Sequence, residues 1–152
     1  MIIRAMLASV ALLASAGVAD AATREVHDIR DFGARPNDGV LDTDAINKAI
    51  DAASAAGGGV VYIPPGRYLS FSIHLKSHIA IEFAPGSVIE AADPAVHPGK
   101  YDNPEPNEND IYQDYGHSHW QNSLMWGDGV EDVSITGPGL IDGKGLTRGG
   151  PG

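Results

Sequence analysis

The stretch from Asp31 to Tyr68, DFGARPNDGVLDTDAINKAIDAASAAGGGVVYIPPGRY, sets one short helix between a turn-rich segment and a buried strand. Within Thr43 to Ala56 the apolar residues Ala45, Ile46, Ala49, Ile50 and Ala53 recur at helical spacing and share one stripe. Asp42 or Thr43 can cap the amino end, and Asp44 suits the positive end of the helix dipole. Gly57, Gly58 and Gly59 stop the helix, because glycine accepts the left-handed geometry that closes one. Val60 to Ile63 then read as a strand, ended by Pro64 and Pro65, which cannot extend a ladder. One helix of this size cannot bury itself. Its stripe must cover something, and the first rung of the strands that follow is the nearest surface.

The remaining strands are short and regular. Tyr68 to Ile73, His78 to Phe83 and Ser87 to Ala91 each alternate or cluster apolar residues between turns, and Asp28 to Gly39 reads as a β-run ending in turn residues. Ile79, Ile81, Pro85, Gly86, Ile89 and Glu90 are echoed by Val133, Ile135, Pro138, Gly139, Ile141 and Asp142, with the turn spacing changed by one residue. An echo of this kind predicts one coil stacked on another, although a sandwich can produce a similar one. Between the copies, Asp93 to Asp114 is rich in proline, asparagine and acids. It reads as an insertion projecting from the stack, where binding elements sit. Trp120 to Trp126 returns to buried character, and Leu146 to Gly152 reads as a loop.

The start of the chain is of another kind. Met1 to Arg4 is basic, Ala5 to Gly17 is apolar but too short to span a bilayer, and Ala19-Asp20-Ala21 is a small-x-small site. Residues 1–21 are therefore expected to be a signal peptide, a reading the flanks favour over a buried amino-terminal helix, with the domain occupying 28–152. The protein is expected to be secreted or periplasmic. With no cysteine among 152 residues, neither a lipid anchor nor a disulfide framework is available. A net charge of −10 disfavours nucleic acid and anionic membranes as partners. A local basic cleft could still receive an anionic sugar.

The residues Asp31-Phe32-Gly33-Ala34, Asp38-Gly39, Asp42-Thr43-Asp44-Ala45-Ile46 and Gly57 to Gly66 with Tyr68 resemble the opening of pectate-lyase-like proteins. The block Asn122 to Trp126 with Val133 to Gly143 is similar to bacterial glycoside hydrolase family 28, the polygalacturonases and rhamnogalacturonan hydrolases. That resemblance implies an all-β fold, a single-stranded right-handed parallel β-helix with an amino-terminal capping α-helix. It also implies inverting hydrolysis of a galacturonan or rhamnogalacturonan, with one carboxyl protonating the leaving oxygen and another activating water. No cofactor is implied, and the full-length enzyme is expected to be a monomer. The family's Asn-Thr-Asp, Asp-Asp, Gly-His-Gly and Arg-Ile-Lys motifs are missing here. No catalytic residue carries over, and the reactive aspartates are expected beyond Gly152. The 152-residue chain alone is expected to be inactive and unstable as a monomer, being the front of a longer solenoid. A polysaccharide lyase or epimerase, or a non-catalytic carbohydrate-binding or adhesion β-helix, are the alternatives on the same scaffold.

Other candidates weigh less. Asp42 and Asp44 suit a helix start better than an acid pair. His117 and His119 have the His-x-His spacing of two imidazoles on one strand face; lacking a third ligand, they read as surface or substrate-contacting side chains. Trp120 could stack on a sugar ring or pack inward, as could Tyr115, whereas Trp126 reads as core. Asp102, Glu105, Glu108, Asp110 and Asp114 lack calcium-loop order and read as a solvated acidic loop. Gly139 to Gly145 fails as a phosphate loop, because Pro138 replaces the first glycine and Gly145 follows Lys144 where Ser or Thr is required.

Overall fold

The computed structural model describes residues 24–106, 121–143 and 146. The segment read as a signal peptide lies outside them. Among the described residues one α-helix, α1 (Thr43–Ala55), accompanies nine strands: β1 (Val26–Asp28), β2 (Gly59–Ile63), β3 (Gly66–Ser70), β4 (Ile73–His74), β5 (Ile79–Phe83), β6 (Ser87–Ala91), β7 (Met125–Trp126), β8 (Ser134–Thr136) and β9 (Leu140–Asp142). They form three parallel sheets, ordered β1-β2-β5-β8, β3-β6-β9 and β4-β7. From β2 onward the chain visits the three sheets in turn and then returns to the first. The coil echo holds in register: Ile81 lies beside Ile135, Ile89 beside Ile141 and Glu90 beside Asp142. The second turn is shorter by one residue on each side of its Pro-Gly.

The inward column of each sheet is apolar. Val61 and Ile81 stack in one sheet, Tyr68 and Ile89 in the second, and all four are buried with Ile63, Ile73 and Ile79. Each such isoleucine is worth roughly 1.5–3 kcal/mol relative to leaving it in water. The stripe predicted for α1 is buried in the same cluster. The helix closes as its glycines require: Gly57, at φ 88°, donates to the Ser54 carbonyl while Gly58 donates to the Ala53 carbonyl.

The amino-terminal edges of the sheets are covered by unlike elements. β1 pairs with β2. Asn37 exchanges hydrogen bonds with Arg67 of β3, and the Asp42 amide donates to the Leu69 carbonyl. Asn47 of α1 straddles the edge of β4: its Oδ1 accepts from the His74 amide (2.8 Å) and its Nδ2 donates to the Ser72 carbonyl (3.0 Å). A side-chain amide thus stands in for a missing strand, which satisfies backbone groups that would otherwise be stranded.

Three expectations need correction. Asp42 occupies the N-cap position without capping, since its carboxylate accepts from the Arg35 amide (2.8 Å) instead. Thr43 does not cap either; its Oγ1 accepts from the Phe71 amide (2.9 Å), so both residues fasten the helix start to neighbouring loops. The run Tyr68 to Ile73 is two strands rather than one, because Phe71-Ser72 makes a corner whose carbonyl and hydroxyl groups are satisfied by Ser70 Oγ and the Ser123 carbonyl. The β-run from Asp28 to Gly39 is strand only to Asp28, after which Ile29–Phe32 turn as a short 3-10 helix. Asp44 lies in the first turn of α1, as expected.

Candidate functional site

Alternation decides what the outer face of the third sheet presents. Ile73 of β4 points inward and is fully buried, so His74 points outward; across the pair, Met125 packs toward the core and Trp126 stands beside His74. The two rings meet edge to face, with centroids 5.1 Å apart at 63°. Asp102, from the insertion between β6 and β7, holds both. One oxygen, Oδ2, accepts from Trp126 Nε1 at 2.7 Å and from His74 Nε2 at 2.6 Å. The Asp102 amide in turn donates to Ser72 Oγ (3.0 Å), which donates to the Ser123 carbonyl (2.9 Å). Desolvation pushes the Asp102 carboxyl upward, but the hydrogen bonds from Trp126 and His74 together hold it below its ordinary value. An ionised carboxylate only accepts, so His74 Nε2 carries a hydrogen and the imidazole is fixed in orientation.

The first leg of the insertion does not project. Tyr101 packs its ring edge against Phe71 at 5.0 Å and donates from its hydroxyl to the Ala92 carbonyl (2.8 Å); burial pushes that hydroxyl up to about 12. The far end is tied by Gln121, whose amide donates to Glu105 (3.0 Å). Asp102 and Glu105 are therefore structural acceptors rather than members of a solvated acidic loop. Trp126 is also corrected: it lies on the outer face at intermediate burial, outside the core. Of the stretch expected to return to buried character, only Leu124 is buried among the described residues. His117, His119, Trp120, Tyr115, Glu108, Asp110, Asp114, Lys144 and Gly145 lie outside the described residues.

Beside the Trp126 and His74 rings runs an open groove of about 420 Å³, lined further by Lys76, Ser77, Ser54 and Asp128. Lys76 reaches Asp51 at 3.6 Å. Sequence reasoning missed His74 and Lys76 here. Their alternation in Ile73-His74-Leu75-Lys76 was visible, but their partner Trp126 arrives only after the insertion. A different arrangement occupies the outer face of the second sheet, where Arg67 is bridged to Glu90 and lies 3.4 Å from Asp142. The two acids stacked one rung apart raise the guanidinium's affinity for its proton, and Arg67 relieves their mutual repulsion. Among the described residues no group of three or more His, Asp or Glu side chains could hold a metal ion, and no helix is long and apolar enough to cross a membrane.

The family model described as rhamnogalacturonase A/epimerase, pectate lyase-like, matches residues 26–136. A family 28 exopolygalacturonase of Yersinia enterocolitica superposes with a TM-score of 0.59 and 29% identity, covering 79% of this chain and 21% of that one. A hyperthermoactive exopolygalacturonase of Thermotoga maritima gives 0.60 and 25%, covering 84% and 30%. In sequence, the mannuronan C5-epimerase AlgE6 of Azotobacter vinelandii is 60% identical over 43 residues, 28% of this chain and 5% of that relative. The chain spans a small part of each of them.

Proposed function

Because the chain belongs to the rhamnogalacturonase A/epimerase, pectate lyase-like family, we propose that it is the amino-terminal part of a secreted glycoside hydrolase acting on pectin-type polysaccharide, a galacturonan or rhamnogalacturonan. In this reading the three parallel sheets are the first coils of a single-stranded right-handed β-helix, and α1 seals its amino-terminal end. Right-handedness follows the general rule for parallel crossovers. The observation that carries the hydrolase reading is the register of β8 and β9 on β5 and β6. It makes the block resembling family 28 an integral coil of the fold, and the two exopolygalacturonases share that fold.

Inverting hydrolysis needs two carboxyl groups roughly 6.5–9.5 Å apart with room for water between them. Glu90 and Asp142 are the described acids stacked on one face, yet both are committed to Arg67. In this reading the reactive aspartates come from later coils of the whole protein, as the family resemblance implies. In this reading His117, His119 and Trp120, which lie outside the described residues, are assigned to substrate contact. Residues 1–21 act as the export signal.

The test is a comparison of products. The protein with its downstream coils should release reducing ends from galacturonan or rhamnogalacturonan without unsaturated-product absorbance. Unsaturated products would establish a lyase instead. Altered sugar stereochemistry without chain shortening would establish an epimerase, the second reading, which the AlgE6 likeness favours.

A further inference from the structure

We propose that the groove beside Trp126 and His74 is a subsite for a neutral pyranose residue of the polysaccharide, not for a uronate. The assignment rests on the polysaccharide reading above and adds to it a choice of sugar. Its size lies within the range of small-ligand sites. Two features fit a sugar ring. Trp126 and His74 have their N–H groups held by one carboxylate, so their rings form a platform fixed before any ligand arrives. Around it stand groups that match hydroxyls: the Asp128 carboxylate as acceptor, the Ser54 and Ser77 hydroxyls as donors and acceptors, and the Lys76 ammonium as donor.

The charge balance selects the neutral sugar. A uronate carboxylate is favoured by uncompensated positive charge, and the cation among the described lining residues, Lys76, already has Asp51 at 3.6 Å. Asp128 lines the groove as well, so among the described lining residues an incoming carboxylate would meet an acid and an ammonium that is already paired. Among the described residues that line the groove, no cluster of basic side chains opposes the net charge of −10. A neutral ring pays none of that repulsion and can donate its hydroxyls to Asp128. The subsite would therefore favour a rhamnogalacturonan, which contains neutral sugar, over an all-uronate chain.

The experiment is a titration of the ¹⁵N-labelled protein, with its downstream coils, against methyl α-L-rhamnopyranoside, methyl β-D-galactopyranoside and methyl α-D-galactopyranosiduronate, following the Trp126 indole N–H and the His74 ring. At least one neutral glycoside should shift both saturably and bind about tenfold more tightly than the uronide. Asp128→Ala should weaken neutral binding by about tenfold, and Trp126→Ala should abolish it. Because Trp126→Ala could also unfold the site, Asp128→Asn serves as the second variant: it should narrow the gap between neutral and acidic ligands with the spectrum otherwise unchanged. Tighter binding of the uronide, or no shift of these signals by any neutral glycoside, overturns the proposal. Reducing-end release from the same preparation separates the two readings: turnover without a neutral-sugar shift removes only the subsite, and a shift without turnover removes only the hydrolase.

Discussion

Removing the Asp102 carboxylate should free the Trp126 indole N–H to exchange with solvent. Asp102 Oδ2 accepts two hydrogen bonds, at 2.6 and 2.7 Å, and hydrogen bonds to charged groups contribute about 1.5–3 kcal/mol each. His74 is 42% exposed and Asp102 37%, so the lower end applies and is reduced further by water. For Asp102→Ala a loss of about 2 kcal/mol in local opening free energy is expected, which corresponds to roughly 30-fold faster exchange of the indole hydrogen. Asp102→Asn keeps a neutral acceptor and should cost about 1 kcal/mol, or roughly fivefold. Hydrogen exchange followed by NMR reads this opening locally, whatever the cooperativity of global unfolding. If Asp102→Ala left the exchange rate within about twofold of the parent at fixed pH, the bridge would not be holding the platform and the reasoning would fail.

Acid should act on Asp102 and Asp42 with opposite sign. The depressed Asp102 carboxyl gives protection of the Trp126 N–H that is complete above its unfolded value of about 4 and lost as pH falls through the lower folded value; exchange against pH checks it. Burial raises the Asp42 carboxyl, whose Oδ2 is buried without a partner, so its cost to stability is absent below the unfolded value and develops as pH rises through the folded one. Asp42→Asn should therefore gain relative stability toward neutral pH, measured by denaturant midpoints at pH 3 and about 7. Gly57→Ala meets open space and should cost only the strain of a positive φ, about 1 kcal/mol, whereas Gly137→Ala would bring a Cβ within 2.1 Å of the Phe83 carbonyl oxygen and should lower soluble yield or thermal midpoint far more. Ile135, Leu140 and Ile141 are exposed on the outermost described strands, β8 and β9, so residues 22–152 alone should self-associate in sedimentation, and Ile135→Lys with Ile141→Lys should reduce it; a sharp monomeric unfolding transition for the unaltered piece would contradict this.

Local chemistry made part of this protein legible in its sequence. The stripe Ala45, Ile46, Ala49, Ile50 and Ala53, the glycine stop and the strands around Val61, Ile81 and Ile89 follow from periodicity and backbone preference, and each is where it was expected. The pairing of Ile81 with Ile135 and of Glu90 with Asp142 was legible for the same reason: a unit that repeats must repeat its alternation, isoleucine on one face and acid on the other. Tertiary structure alone decided what lies across a gap. His74 and Trp126 are about 50 residues apart, yet parallel stacking makes them neighbours, and Asp102 reaches them because Tyr101 packs the insertion's first leg against Phe71. The same holds for Asp42, Thr43 and Asn47. Their types suit a helix start or an exposed face, but backbone groups brought beside them took the side chains: the Arg35 amide took Asp42, the Phe71 amide after β3 took Thr43, and the open edge of β4 took Asn47. Periodicity is written within a dozen residues of chain, whereas a hydrogen-bond partner is settled only by which strands end up side by side.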